Sequence, residues 1–132
     1  MTKRALRWLL GGLMVAIGVG HFVRPEPFVA IVPAWLPWAL GLVYISGAAE
    51  IALGAGILHP RTRPFARWLL VALYVAVYPA NINMALNHIQ LPGMAPMPVW
   101  ALWARLPLQV VLIVWALWCT RATGGREEKP PT

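Results

Sequence analysis

Six side chains in this chain have chemistry to offer from inside long apolar runs: Glu50, Arg105, His21, Asn81, Asn83 and Gln109. Glu50 stands out. It is the sole acidic or basic side chain of the Asp, Glu, Lys, Arg and His types in residues 38–58, WALGLVYISGAAEIALGAGIL, a stretch without proline. At about 1.5 Å per residue, a helix of that length is about 31 Å long, the thickness of a bilayer's hydrocarbon core. A carboxylate placed there costs at least a few kcal/mol, so it is expected to face a protein interior. Arg105 carries the opposite charge, and if the two meet, directly or through Gln109 or water, each offsets the other's desolvation. His21 can donate, accept and take a proton near neutral pH. Asn81, Asn83 and Gln109 can donate and accept at once. Such a set would bind the polar head of an amphiphilic molecule, and a carboxylate with an imidazole could also move protons. The bland reading is that these groups hold helices together, at about 0.6 kcal/mol each.

The elements that must carry these groups follow from composition. The chain has 132 residues, 60% hydrophobic and only 11% charged, against about 25% charged in a soluble domain. It therefore reads as one all-α membrane domain over residues 1–119. Eight Trp agree, because Trp favours the membrane interface. Four apolar runs predict helices over residues 5–23, 38–58, 65–87 and 99–118, packed as an antiparallel bundle. Residues 24–37, RPEPFVAIVPAWLP, hold four prolines and cannot form another span, yet they are too apolar for a solvated loop. They are expected to lie in the interface, folded back as a lid. Gly11, Gly12, Gly18 and Gly20 predict close approach of the first helix to a neighbour. Pro79 is expected to kink the third helix just before Asn81. Residues 120–132 read as a disordered cytoplasmic tail.

The net charge of +7 does not indicate nucleic acid. The basic residues form short groups: Lys3, Arg4 and Arg7; Arg61, Arg63 and Arg67; Arg121, Arg126 and Lys129. These flank apolar runs on one side of a four-helix topology, with no continuous basic stripe. The positive-inside rule then puts both termini in the cytoplasm of a bacterial inner-membrane protein. Measured from that side, Glu50 lies about 12 Å deep, Gln109 about 15 Å, Arg105 about 21 Å, and His21 and Asn81 about 24 Å. That graded set predicts an internal polar pocket opening outward.

No metal site is expected. His88, Met94 and Met97 are ligand types suited to copper(I), but they form no recognised spacing. Haem between His21 and His88 fails because their depths differ by about 10 Å. The one cysteine, Cys119, excludes an intramolecular disulfide relay. Tyr44, Tyr74 and Tyr78 read as packing residues.

Several short runs resemble the DoxX-like family of small bacterial membrane proteins. They are Gly20-His21-Phe22 with Pro25 and Phe28; Ile31-Val32-Pro33 and Leu36-Pro37; Leu42-Val43-Tyr44-Ile45-Ser46-Gly47 with Glu50-Ile51, Leu53-Gly54 and Gly56; Pro60-Arg61-Thr62-Arg63; and Pro79-Ala80-Asn81-Ile82-Asn83-Met84-Ala85. The resemblance implies a four-helix membrane bundle. It implies little about activity: the wider grouping includes a subunit associated with thiosulfate:quinone oxidoreduction and proteins linked to oxidative-stress complexes. Distant relatives with a similar bundle, sterol isomerases and the sigma-2 receptor type, bind sterol-like ligands internally. Members resembling methylamine-utilisation proteins are tied to disulfide chemistry, a role that one cysteine does not fit.

The expectation is a membrane protein with a ligand site formed by His21, Glu50, Asn81, Arg105 and Gln109. The ligand would be a quinone or an isoprenoid or sterol-like lipid, and the partners a second copy or a membrane redox complex. The other classes are a small proton-coupled transporter and a structural subunit of a membrane complex.

Overall fold

The computed structural model describes residues 2–121, whose regular secondary structure is all α-helix; no strand occurs among them. The five helices are α1 (Lys3–Val23), α2 (Glu26–Ile31), α3 (Ala39–Gly56), α4 (Arg63–Leu86) and α5 (Val99–Cys119). Thr2 starts α1 two residues earlier than the hydropathy pattern predicts, because its hydroxyl accepts the Ala5 N–H at 3.2 Å as an N-cap. The Pro-rich segment, expected not to form a span, contains a short helix of six residues. Pro25 precedes α2 and Pro27 sits in its first turn, where no N–H is owed to the helix. Of the expected tail, Thr120 and Arg121 are described: Thr120 is buried and caps α5, its hydroxyl donating to the Ala116 carbonyl. Residues 122–132 lie outside the described part.

The turn between α3 and α4 is held by Arg63, whose Nε donates to the Ile57 carbonyl at 2.8 Å at the end of α3. At the other end of α3, Trp38 takes a left-handed conformation with φ of 61°. Its indole folds back over Gly41, where a β-carbon would lie 2.2 Å from the ring. Any larger residue at 41 would have to displace that ring.

The most extensive packing joins α1 to α3, followed by α4 to α5. α3 also packs on α4, α1 on α5, and α2 on both α3 and α4. Glycines set the α1–α3 contact. A β-carbon on Gly11 would lie 2.7 Å from the Gly54 carbonyl oxygen, and one on Gly18 would lie 2.7 Å from that of Gly47. As residue numbers rise along α1 they fall along α3. Each pair is seven residues, two turns, from the other, so one face of each helix makes both contacts. Gly12, by contrast, faces open space.

One apolar cluster gathers Leu10, Met14, Ile57, Leu70, Tyr74 and Ala116; a second gathers Met84, Ala85 and Leu102. The outer surface is apolar as well. Phe65 and Trp100 are each 74% exposed, and Leu13, Ile17, Val75 and Val114 also face outward. So large an apolar surface marks a surrounding other than water. α1, α3, α4 and α5 are each long and apolar enough to cross a membrane, the property of a multi-pass membrane protein.

Candidate functional site

The glycine pair Gly18 and Gly47 brings the two groups with most chemistry together. His21 follows Gly18 by three residues on α1, and Glu50 follows Gly47 by three on α3, so each side chain sits about one turn from the closest backbone contact. His21 Nδ1 and Glu50 Oε2 are 3.4 Å apart, with side chains 9% and 16% exposed. Nδ1 also lies 2.8 Å from the Ile17 carbonyl oxygen. A carbonyl only accepts, so Nδ1 carries a proton, which makes Nε2 the acceptor of the neutral ring. Glu50 Oε2 is buried and has no hydrogen-bond partner. A buried acceptor in that state costs about 1–3 kcal/mol.

Phe28 of α2 stacks on the imidazole, ring centroids 3.8 Å apart and planes 19° from parallel. α2 is itself held in place by α4: Asn83 Nδ2 donates to the carbonyl of Ile31, the last residue of α2, at 3.0 Å. Asn87 Nδ2 in turn donates to Asn83 Oδ1 at 2.6 Å. Asn83 therefore fixes the segment that covers His21.

The other predicted residues are placed elsewhere. Gln109 is buried on α5 and its Nε2 donates to the Tyr74 carbonyl at 3.0 Å. Asn81 Nδ2 donates to Gln109 Oε1 at 3.4 Å. This cross-link lies in the part of α4 disturbed by Pro79, which lacks the N–H that would bond the Val75 carbonyl. Tyr74, Val75, Tyr78, Gln109, Val110 and Ile113 line a cleft of about 220 Å³ beside it. Neither His21 nor Glu50 lines that cleft.

Arg105 does not meet Glu50. Its Nη1 donates to Met84 Sδ at 3.0 Å, and the acid's charged-type neighbour is His21 instead. The expected charge pair fails because α3 packs against α1 and α4, whereas α5 packs against α4 and α1. Similar depth did not make α3 and α5 neighbours. The single polar pocket expected from all four spans is thus two groupings, His21 with Glu50 and Asn81 with Gln109, and Arg105 stands apart from both. Among the described residues no group of three His, Cys, Asp or Glu side chains could hold a metal ion.

Phe28, Gly18 and Gly47 complete the acid–imidazole site and were not among the predicted site residues. The matching spacing, Gly18 to His21 and Gly47 to Glu50, was the signal that could have found the two glycines.

The profile of a domain family of unknown function (DUF8561) matches residues 10–120. No curated protein and no solved structure matches the chain.

Proposed function

The chain belongs to the DUF8561 family, and we propose that it binds the polar end of an amphiphilic molecule, a quinone or an isoprenoid or sterol-like lipid, between His21 and Glu50. The observation that carries this reading is the buried Glu50 oxygen without a hydrogen-bond donor, 3.4 Å from a histidine whose nearer nitrogen is shared with a backbone carbonyl. A ligand hydroxyl, from the quinol form of a quinone or from an isoprenoid or sterol alcohol, would supply the missing donor, and the imidazole's remaining nitrogen would accept from one. Phe28 occupies the face of the imidazole with a flat ring. A planar head group could take that place when α2 shifts, with its hydrocarbon portion left among apolar side chains.

In this reading the four long helices form an antiparallel transmembrane bundle. Both termini are on the cytoplasmic side, and α2 lies in the opposite interface over the His21 end of α1. Lys3, Arg4, Arg7, Arg61, Arg63 and Arg67 flank the spans on the cytoplasmic side, as the positive-inside rule favours. The resemblance to DoxX-like proteins supports the same assignment, because His21, Phe28, Glu50 and Asn83 all fall within the runs that carry it. An accessory role in membrane redox metabolism accords with a quinone as ligand.

The test is native mass spectrometry of the detergent-purified protein, with the retained lipid identified by fragmentation. A quinone or isoprenoid lipid is expected on the wild type. Glu50→Gln should lower its occupancy at least about tenfold, the worth of a hydrogen bond to a charged group. Full retention by Glu50→Gln would overturn the site.

A further inference from the structure

We propose a second site, at the opposite end of the molecule, for one anionic phospholipid. α1 and α5 form a groove of about 400 Å³ lined by Leu6, Val111, Val114, Trp115 and Trp118. Those five side chains offer an acyl chain an apolar bed. The groove has a charged mouth. Lys3 is three residues before Leu6 on α1, so the two share a face. Its ammonium lies 5.7 Å from the centre of the Trp118 ring, which is itself part of the groove wall. Arg7 lies one turn further along the same face, and its Nε donates to the Cys119 carbonyl at 2.8 Å.

Lys3 Nζ donates to the Arg121 carbonyl at 3.0 Å, which uses one of its three donors. The rest suit a phosphate. An apolar groove with a cation at one end matches the order of acyl chain and phosphate in an anionic phospholipid. Basic pockets between membrane helices bind anionic head groups on these terms.

Purified full-length protein in detergent, titrated with phosphatidylglycerol or with phosphatidylcholine of the same chains, tests this by native mass spectrometry. The wild type should retain the anionic lipid about fivefold better, the worth of one basic side chain near a charged head group. Lys3→Gln should erase that preference and leave the weaker binding common to both lipids. Val114→Trp, which fills the groove from an exposed position, should abolish retention of both while leaving the melting temperature unchanged. Equal retention of the two lipids by the wild type, a preference that survives Lys3→Gln, or undiminished binding by Val114→Trp would each overturn the site. So would displacement of the lipid by millimolar inorganic phosphate, which would place the recognition in the charge alone. The outcome is independent of the His21–Glu50 ligand, since neither variant touches that end.

Discussion

Gly47 lies against His21 so closely that a β-carbon on the glycine would sit 2.5 Å from the histidine's own β-carbon. The imidazole's position is therefore set by a hydrogen atom on the facing helix. Gly47→Ala must push α1 and α3 apart or turn His21 away from Glu50. Overpacking of this kind costs about 1–3 kcal/mol, so the melting temperature should fall and retention of the amphiphile with it. Gly12→Ala is the control: it meets nothing within 4 Å and should be neutral or stabilising by up to about 1 kcal/mol through helix propensity. Equal effects of the two substitutions would show that the Gly47 contact does not hold the site together.

Arg105 and Glu50 give a second prediction because they have different partners. Arg105 donates to Met84, whereas Glu50 lies beside His21. In a double-mutant cycle, Glu50→Gln and Arg105→Gln should add to within about 0.5 kcal/mol in thermal stability. A coupling above about 1 kcal/mol would restore the ion pair that the sequence suggested. The same cycle with Glu50→Gln and His21→Gln should show coupling, since those side chains are in contact.

Asn83 provides a third. Its side chain ties the last residue of α2 to α4. Asn83→Ala leaves the Ile31 carbonyl without that donor, a loss of about 1 kcal/mol. The effect should be local. Backbone amide exchange is expected to quicken in α2, while α1 and α3 keep their protection. Unchanged exchange in α2 would mean that packing on α3 and α4 alone holds this helix.

The four spans were legible because each is a long apolar run, and bilayer thickness turns run length directly into helix length. That Glu50 would be turned away from lipid was also legible, from the cost of exposing it to hydrocarbon. Its partner was not. Depth along a helix can be counted from sequence, but the direction a side chain faces depends on which helices are neighbours, and Arg105 sits on a helix that does not pack against α3. α2 was missed for a different reason. Four prolines in residues 24–37 read as helix breakers, yet Pro25 and Pro27 fall just before and within a first turn, where proline is favoured. The glycine spacing was visible, but one helix in isolation does not reveal that Gly18 and Gly47 face each other.

Phe28 gives the last prediction, and it separates two roles for the covering ring. If the aromatic side chain is a plug over the imidazole, removing it should open the histidine face to a planar head group. Phe28→Ala should then speed modification of His21 by diethyl pyrocarbonate and raise retention of a quinone or isoprenoid lipid. The gain is bounded by the stacking that the wild type must give up, about 0.5–1.5 kcal/mol, or severalfold in occupancy. If the ring is instead a wall against which the ligand rests, His21 modification still quickens but retention falls. Phe28→Leu distinguishes these cases from a general loosening of α2, because it keeps an apolar side chain at the position and removes only the aromatic face. Under the plug reading it should lie between wild type and alanine in both measurements. Under the wall reading it should lose ligand nearly as fully as alanine does. The distinction matters for mechanism, because a plug ties ligand entry to movement of α2 and hence to the Asn83 tether, so Asn83→Ala should accelerate ligand uptake only in the first case.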